Sequence, residues 1–263
     1  MTAKTAEDRL RYARQYGSIL KPSGIPDGLL QLAPNKRIHI MKSLSCLAKY
    51  TGEYEQWLAI RHRYNLTWTT GTEKIDAFER FFDDSVTLDT MIQWLREALH
   101  QLPARFANVF LFCTLTGMRA TECLASVRLI RDVETCKRYY DAEHGVLRHY
   151  LFADSFIRRT KAVYISIIDD EILQMAQKID KIPAVNSLKN STRRRCLSMR
   201  LKYCRKIHGS WLRQRGGIEA ELVDLLQGRV SQSVFTRHYL VPTSDFRQKV
   251  LQSLINLKRE LNV

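Results

Sequence analysis

Residues 103–115 constrain the fold most, because they read as an apolar helix with a sharp stop. Pro103 sits in the first turn, where a missing N–H costs little. Gly117 breaks the run just past the helix end, the place where glycine is favoured. From Met118 helical spacing resumes, with Leu124 and Val127 as apolar positions, so the pattern places Arg119 in the first turn of a second helix. Free N–H groups and the positive end of the helix dipole favour an anion there. A guanidinium adds a planar fork of donors that fits phosphate oxygens. Glu122, three residues on, shares its face and is placed to hold that fork. Two readings stand for this pair: an ordinary surface ion pair, or a braced phosphate-binding arginine.

The remainder of the chain reads as mostly α with a small antiparallel β-sheet. Short helices are expected over 8–19 and 27–32, with breaks at Pro22, Gly24 and Pro26. Asn35 is the expected cap of a helix over 36–50 that buries Ile38, Met41, Leu44 and Leu47. Lys36, Arg37, Lys42 and Lys49 are left for its other faces, and a further helix is expected over 53–64. Residues 65–74 have turn composition, which divides the chain into 1–72 and 73–263, with Asp83, Asp84 and Ser85 as a later break. Thr87 caps a helix through His100. Strands are expected over 147–153 and 161–167, the second alternating Val163, Ile165 and Ile167 with Tyr164 and Ser166. Arg158, Arg159, Thr160 and Lys161 lie between them. A helix follows over 169–179.

Between Arg193 and Arg215 every charged residue is basic, Arg194, Arg195, Lys202 and Arg205 among them. Leu197, Leu201, Ile207, Trp211 and Leu212 are interleaved, so this stretch reads as a folded basic helix rather than a tail. Gly216 and Gly217 end it, a short helix runs over 218–226 to Gly228, and a final helix is expected over 246–262. Its residues Leu251, Leu254, Ile255 and Leu257 suit docking on a partner subunit.

The 263 residues carry a formal net charge of +15, which argues for a polyanionic partner, nucleic acid being the commonest. No long apolar run or cationic amphipathic tail points to a membrane, and the first residues lack the apolar core of a signal peptide. Six cysteines occur without any C-x-x-C pair, so they read as small core residues of an intracellular protein, and no zinc site or other metal site is expected.

Taken in order, Thr116-Gly117-Met118-Arg119 with Glu122, Lys202-Tyr203-Cys204-Arg205, Gly228-Arg229 and Arg237-His238-Tyr239 resemble the tyrosine recombinase (phage integrase) family, in its archaeal integrase branch. The resemblance spans 103–239, more than half the chain. It implies a helical core-binding domain that closes around duplex DNA, followed by a catalytic domain. It implies Tyr239 as nucleophile, Arg119, Arg205, Lys202 and Arg229 around the phosphate, and Lys161 on a hairpin turn as general acid. Glu122 then supports an arginine. Lys36, Arg37, Lys42, Lys49, Arg158, Arg159, Arg193, Arg194 and Arg195 are the expected DNA contacts. No cofactor is implied, and the expected partners are double-stranded DNA at attachment-type sites and a tetramer of the chain itself on synapsed DNA. Two departures stand out: Lys202 replaces the usual His, and Arg229 stands where the family often has His or Trp. The proton of Tyr239 then passes to His238, His208 or water. A catalytically silent DNA-binding protein of the same fold and a type IB topoisomerase are the alternatives.

Overall fold

The computed structural model describes residues 3–21, 24–68, 84–158, 161–229 and 241–263. It is mostly α-helical with a small antiparallel sheet. Two compact units divide it, Met1–Asp84 and Ser85–Val263.

The first unit holds α1 (Ala3–Tyr16), α2 (Asp27–Leu30), α3 (Pro34–Thr51) and α4 (Tyr54–Arg63). Its core gathers Leu20, Leu29, Ile40, Met41, Leu44 and Trp57. The cap of α3 differs from expectation. Pro34 occupies the first turn, so the helix begins before Asn35, and Ala33 is the N-cap. Gly52 ends α3 at φ 78, a left-handed conformation that glycine adopts without cost. Lys36, Lys42 and Lys49 are exposed, whereas Arg37 is half-buried. Lys49 lies 4.8 Å over the Tyr54 ring and Arg61 lies 4.5 Å over Trp68.

The second unit begins with α5 (Leu88–Gln101), capped by Thr87, whose hydroxyl accepts from the Thr90 N–H at 3.1 Å. Next come α6 (Ala104–Thr116), α7 (Ala120–Arg131) and α8 (Val133–Tyr139). The sheet joins β1 (Tyr140–Asp141), β2 (Val146–Arg148) and β5 (Ile165–Ile167) in that order, all antiparallel. A separate hairpin pairs β3 (Ile157–Arg158) with β4 (Lys161–Ala162). Between β2 and β3 lie a 3-10 turn (His149–Phe152) and the short α9 (Ala153–Phe156). Then come α10 (Asp170–Gln177), α11 (Val185–Arg194), α12 (Leu201–Gln214), α13 (Ala220–Leu226) and α14 (Phe246–Leu261).

Four expectations are corrected here. The strand expected over 147–153 stops at Arg148, because the His149 ring turns inward. It bonds the Tyr139 hydroxyl at 2.6 Å and the Ser166 hydroxyl at 2.8 Å, and stacks on Phe156. Ser166 is consequently buried, against the alternation expected of residues 161–167. The basic run of 193–215 is two helices, not one; the chain turns between Arg194 and Leu201, with Cys196 at φ 52. Finally, α14 uses its apolar face within the chain: Leu254 and Leu257 are fully buried in the unit's own core. The Trp211 indole N–H donates to the Ser253 carbonyl at 2.8 Å, and Lys258 pairs with Asp169 and Glu171. Of the residues expected to dock on a partner subunit, Leu254 and Leu257 are therefore already covered, whereas Leu251 and Ile255 are half-buried.

Candidate functional site

The site grows from the turn between α6 and α7. Gly117 takes φ 65, as its place after the helix requires, and Arg119 is extended rather than helical, serving as the N-cap of α7. Each carbonyl from Thr116 to Met118 accepts from a side chain of a different element. The Ser166 hydroxyl of β5 donates to the Thr116 carbonyl at 3.3 Å. Arg205 Nη1 of α12 donates to the Gly117 carbonyl at 3.0 Å, and the Cys113 thiol of α6 donates to the Met118 carbonyl at 3.2 Å. Glu122 accepts from the Arg119 N–H at 2.9 Å, the half of a capping box that a third-position glutamate supplies. No side chain fits on Gly117, since a Cβ there would stand 2.5 Å from His208 Nδ1.

Glu122 is wholly buried and acts as a double brace. Its Oε1 takes Arg119 Nη1 at 2.9 Å and Arg158 Nη2 at 2.7 Å. A buried carboxylate needs such partners, because desolvation without them is costly. Arg119 Nη1 also reaches the Ala162 carbonyl of β4 at 3.3 Å. That carbonyl is pressed against Gly228, where a Cβ would lie 2.0 Å away, and Gly228 adopts φ 66. The hairpin, the α7 N-terminus and the loop after α13 thus meet at one atom. Gly228→Ala is expected to destabilise the second unit by about 2–4 kcal/mol, from left-handed strain plus displacement of the hairpin. Thermal melting of the variant checks it.

Arg205 is fixed from both sides. Nη1 holds Gly117, Nη2 holds the Gln227 carbonyl, and the Gln227 amide returns a bond to the Arg205 carbonyl at 3.0 Å. Its pKa is lowered to about 10, first by burial and then by the positive charges of Arg119 and Arg229. Three guanidiniums therefore share one electrostatic neighbourhood. Between α12 and α13 opens a cleft of about 500 Å³, lined by Lys202, Arg205, Lys206, Arg213 and Arg229, with Asp224 as its carboxylate among the described residues. Asp224 pairs with Arg229 at 2.9 Å. Arg119 lies outside this cleft, on the hairpin side, and adds to it through its charge.

Lys161 is exposed and has no ion pair among the described residues. It is paired in register with Arg158 and is one residue from the Ala162 carbonyl. Lys202 is exposed at the cleft mouth, its ammonium 5.2 Å from the Tyr203 ring centroid. It also lines a second basic pocket, with Arg193 and Arg200, so Lys202 borders both concavities. Arg193, Arg194 and Arg195 are exposed at the end of α11, Arg195 bonding the Ser191 hydroxyl at 3.0 Å. Arg159 and Tyr239, with Arg237 and His238, lie outside the described residues.

His208 is packed beneath Gly117. Burial, then the charge of Arg205, lowers its pKa to about 3, so it is a neutral packing residue and a poor proton acceptor near neutral pH. Gln227 carries no signal in the sequence: it precedes a glycine in no recognisable pattern, and only the fold brings it to Arg205. The Tyr139–His149–Ser166 chain was hidden for the same reason, since its residues come from α8, a turn and β5. Among the described residues no group of three or more His, Cys, Asp or Glu is placed to hold a metal ion, and no helix is long and apolar enough to cross a membrane. No family model, curated protein or solved structure matches the chain.

Proposed function

We propose that this chain is a tyrosine recombinase that cleaves and rejoins duplex DNA at specific sites. One observation carries the reading: Arg205 bonds the Gly117 carbonyl, two residues from Arg119, and lines one cleft with Arg229, although the three come from segments far apart in the sequence. Cations brought together at a desolvation cost favour an anion that draws on all three, and a phosphodiester in its transition state is such an anion. The net charge of +15 and the basic strip from Arg193 through Lys202 to Arg213 suit a longer polyanion.

In this reading the Tyr239 phenolate oxygen attacks phosphorus, the P–O5′ bond breaks, and a 3′-phosphotyrosine forms. Lys161 delivers a proton to the departing 5′ oxygen. The phenol proton passes to water or to His238, since His208 is sealed beneath Gly117. Lys202 holds a non-bridging oxygen in place of the usual His. The phosphate bond energy is kept in the ester, so rejoining consumes no nucleotide. Exchange between two duplexes calls for a tetramer, acting inside the cell.

The test is incubation with nicked suicide duplexes bearing candidate attachment sequences, in EDTA. A covalent protein–DNA adduct is expected for the wild type and none for Tyr239→Phe. A duplex that binds tightly yet never yields an adduct would return the chain to the silent DNA-binding class. Relaxation of supercoils without site preference would favour the topoisomerase.

A further inference from the structure

We propose that Arg158 is a positioning residue that sets the general acid Lys161 by latching the hairpin tip to Glu122, rather than a contact to DNA phosphate; the inference rests on the recombinase reading. The β3–β4 hairpin has only two residue pairs, Ile157 with Ala162 and Arg158 with Lys161. So short a ribbon does not hold its geometry unaided. Three contacts fix its base: Val163 N–H to the Phe156 carbonyl at 3.2 Å, Arg119 to the Ala162 carbonyl, and the press of Gly228 on that same carbonyl. Each acts at or beyond Ala162. At the tip pair, the contact to the body of the unit among the described residues is Arg158 Nη2 to Glu122 Oε1 at 2.7 Å.

Charge supports the same assignment. Glu122 already has Arg119 as its counter-ion, so a second arginine is not needed to neutralise it. Arg158, drawn to a buried carboxylate, offers a reduced positive potential to a phosphate. What the second bond supplies is a further link between the α7 N-terminus, which carries Arg119, and the strand pair that carries Lys161, placed one pair beyond the Arg119–Ala162 contact. The phosphate-binding arginine and the proton donor then share one carboxylate as a common reference.

The leaving group separates the two roles. A 5′-bridging sulfur departs as a thiolate and needs no proton, so loss of a general acid is masked on that substrate while loss of a phosphate contact is not. Single-turnover cleavage is measured on the nicked duplex that traps the wild type, with 5′ oxygen and with 5′ sulfur. Lys161→Ala should be slowed about 100-fold or more on oxygen and restored on sulfur. Arg119→Ala should be slow on both. Arg158→Ala is expected to follow Lys161, slowed at least about 10-fold on oxygen and returning to within about 3-fold of wild type on sulfur. Arg158→Gln, which keeps a donor without the charge, should show a smaller loss with the same rescue. Arg158→Ala slow on both substrates, or unchanged on oxygen, overturns the proposal while leaving the recombinase reading intact. No adduct from the wild type on either substrate overturns both.

Discussion

Arg205→Lys should cleave nicked DNA about 100- to 1,000-fold more slowly than the wild type while binding the duplex with affinity within about 3-fold. The two halves of this expectation come from different properties of the side chain. Charge is retained, so the long-range attraction for the phosphate backbone survives. The fork is not. A guanidinium has about five N–H donors. In Arg205 two of them are directed at the carbonyls of Gly117 and Gln227, leaving the others for an oxyanion. A lysine ammonium cannot span both carbonyls and still face a phosphate. Leaving a half-buried carbonyl without its donor also lowers stability, by about 1–3 kcal/mol. Single-turnover rates, a filter-binding isotherm and a urea melt give the three numbers. Cleavage within about 5-fold of wild type would show that the fork plays no part in the reaction.

Acid should unfold the second unit early. His149 and His208 both have pKa values lowered to about 3, in each case chiefly by burial. Their unfolded values lie near ~6.5, so between those limits the unfolded chain binds protons that the folded chain refuses. Stability is therefore complete above about pH 6.5 and lost as pH falls toward 3. At pH 5 each histidine removes about 2 kcal/mol, and the pair about 4 kcal/mol. The interval from pH 5 to 6.5 lies above the ordinary carboxylate range, so Asp and Glu contribute little to the slope there. Urea melts at pH 7.5 and pH 5.0 check it, and His208→Asn should keep about half of the acid dependence. A midpoint that does not move between those pH values would contradict the burial of both rings.

These two histidines also mark where the sequence is legible and where it is not. Local chemistry reads well. Gly117 after an apolar helix, Thr87 before one, and Asp169, whose carboxylate accepts from the Ile172 N–H at 2.7 Å, are decided by a few neighbouring residues. Arg119 with Glu122 reads well for the same reason, although a spacing of three does not tell an N-cap from a first-turn residue. Long-range packing does not read. Whether His149 continues a strand or turns inward depends on Tyr139 and Ser166, each more than nine positions away. Whether Leu254 and Leu257 face a partner or their own core is not encoded in their spacing, because both uses require the same stripe. Arg158, basic and near a turn, reads from the sequence as a phosphate contact. Only the fold places the buried Glu122 beside it.

The most direct test of the central claim is to find the residue that carries the DNA. The trapped adduct is digested with nuclease and protease, and the nucleotide-bearing peptide is sequenced by mass spectrometry. A 3′-phosphonucleotide is expected on the phenolic oxygen of Tyr239 and on no other side chain. A nucleotide on Tyr203, on a serine, or joined through its 5′ phosphate would contradict it.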